Sequence, residues 1–189
     1  LTRLGWSPSG CWWRWTGPGL LDPICLATGS PAEIMHCVRE SVREASLREL
    51  EERRPRQFGG MDGKIAKGLV LDYLSRLEQP TRRSLLMGCM SGAIWTADRV
   101  HRRRLRDSPQ CPYCAVPGLA EDEDHIFWRC DAWEDVREAP RRKLTMLASR
   151  VTTLPREVAQ WPSCLRVCGL PPQSAMEALS PELRTLFMD

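Results

Sequence analysis

Four residues in one short window carry the clearest chemistry of the chain: Cys111, Cys114, His125 and Cys130, spaced C-x2-C-x10-H-x4-C. Thiolate sulfur and imidazole nitrogen are the donors a tetrahedral zinc ion takes, and a two-residue spacer lets both thiolates reach one ion from a tight turn. The chain has nine cysteines, an odd count. With a Cys-x-x-Cys followed by His and Cys, they fit metal binding in a reducing compartment, nucleus or cytoplasm, better than disulfides. One Zn2+ in a structural role is therefore expected. Four protein ligands leave no open position for water, and three thiolates with one neutral imidazole give a local charge of about −1, a poor Lewis acid.

The spacing also poses a geometric problem. His125 and Cys130 are five positions apart, roughly 140° around an ideal α-helix. One of them must lie at a helix end or at a distortion. Between the ligand pairs, Pro117-Gly118 is a turn dipeptide suited to a short hairpin. The acidic run Glu121-Asp122-Glu123-Asp124 precedes the proposed helix; its charges suit a helix N-terminus, and Asp122 or Asp124 could cap it. Ile126, Phe127, Trp128 and Trp133 are candidates for a small apolar core on the metal. The other six cysteines (Cys11, Cys25, Cys37, Cys89, Cys164, Cys168) form no second ligand set and read as packing residues.

A basic segment leads into this window. Seven arginines lie between Thr81 and Asp107, opposed up to Arg106 only by Asp98. Guanidinium forks match phosphate bidentately. Arg99, Arg102, Arg103, Arg104 and Arg106 are accordingly expected to contact nucleic acid, RNA or DNA. A solvated helix face is the plainer alternative, and the net charge of +3 is too small to choose between them. Trp12, Trp13 and Trp15 could stack on bases, but a core role is the commoner use of tryptophan.

The elements that must position these residues are mostly helices. Ser30-Pro31-Ala32-Glu33 is a helix start with a capping Ser, Pro at the first position and Glu three residues on. Ile34, Val38, Val42 and Ala45 recur at helical spacing, opposite a mixed-charge face of Arg39, Glu40, Arg43, Glu44, Arg48 and Glu49. Further helices are expected over about 64–78, from Pro80, from a Thr96 cap, over 125–138 with a stop at Pro140, and around 141–149. A strand or hairpin near 10–16 is left open by weak periodicity. The fold class is mostly α, a small helical domain with an appended zinc module of short hairpin plus helix. The divisions are 1–29, rich in Trp, Gly and Pro; 30–107, helical and ending basic; 108–138, the zinc module; and 139–189, short helices and a Pro-rich tail. No run is apolar enough to span a membrane. The start Leu1-Thr2-Arg3 has neither an initiator Met nor a leader, so a piece of a longer reading frame is expected.

Three stretches together resemble a known family: Gly92-Ala93-Ile94-Trp95-Thr96-Ala97-Asp98-Arg99, Cys111-Pro112-Tyr113-Cys114, and Glu123-Asp124-His125-Ile126-Phe127-Trp128-Arg129-Cys130-Asp131-Ala132-Trp133. They look like the C-terminal zinc-binding (CCHC) region of non-LTR (LINE-type) retrotransposon reverse transcriptase polyproteins. The resemblance covers about 45 residues well and implies the ligands Cys111, Cys114, His125 and Cys130, with binding of the element's RNA or target DNA. The chain departs from it at Ala115, where Gly is the commoner residue after the second Cys. The family's enzymatic parts have no counterpart: there is no Tyr-x-Asp-Asp, no set of spaced carboxylates for two metals, and no Pro-Asp with a spaced Glu-x-Lys. The function expected is therefore a zinc-stabilised nucleic-acid-binding fragment, not an enzyme and without a small-molecule substrate or membrane. A structural or protein-interaction zinc domain is the alternative, and a nuclease fragment the remaining one.

Overall fold

The computed structural model describes residues 1–16, 23–150, 155 and 157–177. Much of the expected Pro-rich tail lies outside them. The described residues are mostly helical, with one three-stranded antiparallel sheet. The strands are β1 (Trp6–Ser9), β2 (Trp12–Trp15) and β3 (Ile24–Cys25). The helices are α1 (Pro31–Arg53), α2 (Pro55–Phe58), α3 (Lys67–Arg76), α4 (Pro80–Met90), α5 (Ala97–Arg102), α6 (Glu134–Arg150), α7 (Ser163–Cys168) and α8 (Gln173–Glu177). None is long and apolar enough to cross a membrane.

The hairpin left open by sequence forms. Ser9 faces Trp12 across a two-residue loop, with Gly10 at φ 66°, the positive φ that such loops require. Trp6 is fully buried and anchors the hairpin, whereas Trp12 is 47% exposed. The Trp6 indole N–H donates to Ser41 Oγ at 2.6 Å, and that hydroxyl donates to the Cys37 carbonyl at 2.7 Å.

This contact rotates α1 away from its expected face. The helix begins as read, with a full capping box: the Glu33 amide donates to Ser30 Oγ and the Ser30 amide to Glu33 Oε2. Yet its buried residues are Ser41 and Glu44, while Val42 is 45% exposed. Ser41 goes inside because it satisfies Trp6, and Glu44 because Arg48 ion-pairs with it; buried polar atoms need such partners. The expected solvated face thus loses Glu44.

Two further expectations are corrected. Pro140 does not stop its helix but lies inside α6. Proline removes one amide donor and crowds a carbonyl; here the exposed flanks are tied by Arg137 and Arg141 to Glu134 and by Arg142 to Glu138. The 138/139 division consequently falls within α6. Cys11, read as a packing residue, is exposed in the hairpin loop. Beyond 150 the short helices α7 and α8 follow, and Cys164, Val167, Cys168 and Leu170 of the α7 region form a buried cluster with Phe58 and Met61. Burial there pushes the Cys164 and Cys168 thiols up to about 12, which keeps them neutral packing groups.

Phe58, 1% exposed, joins α1, α2 and α7. Truncating a fully buried aromatic costs about 3–5 kcal/mol, much of a domain's total stability. Phe58→Ala is expected to lose that amount in urea unfolding, or to leave the chain largely unfolded.

Candidate metal centre

The four predicted ligands converge. The donor atoms of Cys111, Cys114, His125 and Cys130 all lie within 4.8 Å of one another. A tetrahedral site with about 2.3 Å bonds to sulfur and 2.0–2.1 Å bonds to nitrogen has edges of roughly 3.8 Å (S to S) and roughly 3.5 Å (S to N). Cys111 Sγ is 3.7 Å from Cys130 Sγ, and Cys114 Sγ is 3.5 Å from His125 Nε2. Cys111, Cys130 and His125 are buried and Cys114 is half-buried. The group can hold a metal ion, and no second such group occurs among the described residues.

Local backbone structure brings the donors together in three steps. The arms before and after the first pair zip antiparallel: Gln110 bridges Ala120, the Cys111 amide donates to the Leu119 carbonyl at 3.2 Å, and the Glu121 amide to Pro109 at 2.8 Å. Between them the chain reverses through Val116-Pro117-Gly118-Leu119, closed by Leu119 N–H to Val116 carbonyl at 3.3 Å with Gly118 at φ 75°. Proline second and a positive-φ glycine third are the type II pattern. The conflict between His125 and Cys130 is resolved by a π turn over His125–Arg129, closed by Cys130 N–H to His125 carbonyl at 2.8 Å. An i→i+5 turn is wider than an α turn and swings the sixth residue back toward the first. Arg137 donates to the Cys130 and Ile126 carbonyls, supplying bonds the α ladder would have made.

Ala115 holds φ 53°, in the left-handed region where a Cβ is strained. The turn after the second Cys therefore carries its left-handed residue with a Cβ in place.

The two thiols of the knuckle differ. Burial raises the Cys111 thiol to about 11, eased by the amides of Cys114 and Tyr113. The Val116 amide lowers Cys114 despite some burial. A coordinated cation would deprotonate either thiol outright. His125 is fully buried, and its Nδ1 has no hydrogen-bond partner among the described residues. Packing orients its ring, not the outer carboxylate that commonly holds a metal-binding His.

The acidic run does more than cap. Asp122 Oδ1 accepts from the His125 amide at 2.7 Å, so Asp122 rather than Asp124 caps the π turn. Glu121, buried, accepts from the Ala97 amide at 3.1 Å, at the start of α5. Glu123 accepts from Gln57 of α2 and lies 3.8 Å from Arg99. Asp124 ion-pairs with Arg129 at 2.9 Å and with Arg166 of α7. Gln57, Arg129, Arg137 and Arg166 were invisible to sequence reasoning as site residues, because their partners are fixed by tertiary contact. Nor do the aromatics form a private core: Trp128 donates to the Arg166 carbonyl at 3.1 Å, and Trp133 meets Tyr113 edge-on at 5.0 Å.

The five predicted arginines separate. Arg99 is only 17% exposed at its side chain, donates to the Ile94 carbonyl at 2.8 Å and faces Glu123; burial lowers its pKa while Glu123 raises it. Arg102, Arg103, Arg104 and Arg106 are exposed. Arg102 pairs with Asp98 at 2.7 Å, and Arg103 lies over the Trp95 ring. Compared with family models, curated proteins and solved structures, the chain matches none.

A left-handed non-glycine residue costs roughly 1 kcal/mol or more, and glycine relieves it less its own entropic cost. Ala115→Gly is expected to raise the melting temperature of the metal-loaded chain by about 2–4 °C, the shift about 1 kcal/mol gives at this size. Unchanged or lower stability in calorimetry contradicts the strained turn.

Proposed function

We propose that this chain is a zinc-stapled, non-catalytic nucleic-acid-binding module of a retrotransposon-type protein. The observation that carries the proposal is that Arg102, Arg103, Arg104 and Arg106, all exposed, come shortly before a complete three-sulfur, one-nitrogen donor set in the chain. Cys111, Cys114, His125 and Cys130 would hold zinc, which suits soft thiolates and needs no further ligand. Zinc bound there has no open position, so its role is to fix the loop that carries the acidic run. The arginines meet phosphate oxygens without reading bases, which makes binding to RNA or DNA salt-dependent and tolerant of sequence.

Purified protein should hold one zinc per chain, and Cys114→Ser should abolish it; a fully folded, metal-free wild type contradicts the staple. Chelation is expected to raise amide exchange over residues 108–130. It should also do so at residues 96–99, because Glu121 and Glu123 tie the loop to α5.

Replacing Arg102, Arg103, Arg104 and Arg106 by Gln together should weaken binding to all sequences alike. The slope of log affinity against log salt should fall by roughly 0.7–0.9 per lost phosphate contact. Zinc content and helicity should stay as in wild type. Unchanged affinity with zinc intact favours the protein-interaction alternative.

A further inference from the structure

A concavity of about 720 Å³ opens between the α1–α2 corner, α5 and the metal-donor loop. Eight arginines and four carboxylates line it. The carboxylates are engaged: Asp98 with Arg102, Asp122 with the His125 amide, Glu123 with Gln57, and Asp124 with Arg129 and Arg166. Arg54 is turned to the Ser91 and Gly92 carbonyls. Arg53 pairs with Glu49. That leaves two exposed guanidiniums of the lining, Arg56 from α2 and Arg103 from the end of α5, with no carboxylate partner among the described residues. Excess guanidinium charge in a concave site is what draws and orients an anionic backbone.

A second observation stands beside the first. Arg103 Cζ lies 5.1 Å from the ring centroid of Trp95, and Trp95 is 59% exposed. Tryptophan is highly buried on average, and here its indole is offered to solvent next to an unpaired cation. A base that stacks on such a ring gains both the aromatic face and the neighbouring guanidinium. Paired bases in a duplex keep both faces covered by their neighbours, so only an unpaired base can reach it. The six-residue α5 also presents no long ridge of the kind that enters a major groove.

We propose that this cleft binds single-stranded nucleic acid, with phosphates held by Arg56 and Arg103 and an unpaired base stacked on Trp95, which lies outside the lining beneath Arg103. The proposal rests on the nucleic-acid reading above and adds strandedness, a second wall and a base platform to it.

The test is fluorescence anisotropy of the full, metal-loaded chain with labelled oligo-dT, oligo-U and a short duplex at several salt concentrations. Wild type is expected to bind the single strands more tightly than the duplex. Arg56→Gln should reduce the salt slope for single strands by about 0.7, and Arg56→Lys should restore it, which a folding defect would not allow. Trp95→Ala should weaken single-strand binding by roughly 5- to 150-fold, leave the salt slope as it is, and change duplex binding little. If both variants bind like wild type while the quadruple Arg→Gln chain binds weakly, the cleft is overturned and the arginine run alone stands. Equal loss of duplex and single strand in Trp95→Ala overturns the strandedness. Absence of binding to every probe by folded wild type overturns the nucleic-acid reading itself, and the cleft with it.

Discussion

The four consecutive carboxylates of 121–124 are the constraint on which the arrangement depends. Like charges in sequence repel, and those carried into the interior need polar partners there. Here the partners lie in different places: the α5 amide for Glu121, the π turn for Asp122, α2 and Arg99 for Glu123, and Arg129 with Arg166 for Asp124. The loop is thereby attached to helices on two sides while its ends carry the metal donors. Hydrogen bonds to charged groups contribute about 1.5–3 kcal/mol each, but buried ion pairs give back much of that in desolvation. Their main effect is positional, and the metal-donor loop holds one orientation relative to the arginines of α5.

The same network sorts the arginines. Arg99, Arg137 and Arg166, largely buried, and Arg129 at the surface satisfy carboxylates or backbone carbonyls of the metal-donor loop. Arg103, Arg104 and Arg106 are exposed and have no carboxylate partner among the described residues, and the same holds for Arg56 of α2. A net charge of +3 averages these two populations and conceals both. Arginine suits both duties because its planar fork serves fixed carbonyls as well as mobile phosphates.

How far the structure could be read from sequence depended on the range of the interaction. Ligand spacing, the Pro117-Gly118 turn and the Ser30 capping box act within a few residues and were legible. The mismatch of His125 and Cys130 even required a distortion, which the π turn supplies. The exposed hairpin cysteine, the buried face of α1 and the continuation through Pro140 were not legible. Ser41 is inside because Trp6, 35 residues away in sequence, needs an acceptor, and Glu44 because Arg48 neutralises it. Apolar periodicity, which predicts a face from one helix alone, carries no record of such partners. Arg166, 42 residues from Asp124, gives no sign in sequence that it belongs to the metal-donor loop.

Zinc K-edge X-ray absorption on the purified chain tests the central claim most directly, because it reads ligand type, number and distance at the ion itself. Three sulfurs at about 2.3 Å and one nitrogen at about 2.0–2.1 Å are the expected shell, with no oxygen ligand and no change on adding nucleic acid. A shell with fewer than three sulfurs, or one containing exchangeable water oxygen, contradicts a closed structural centre.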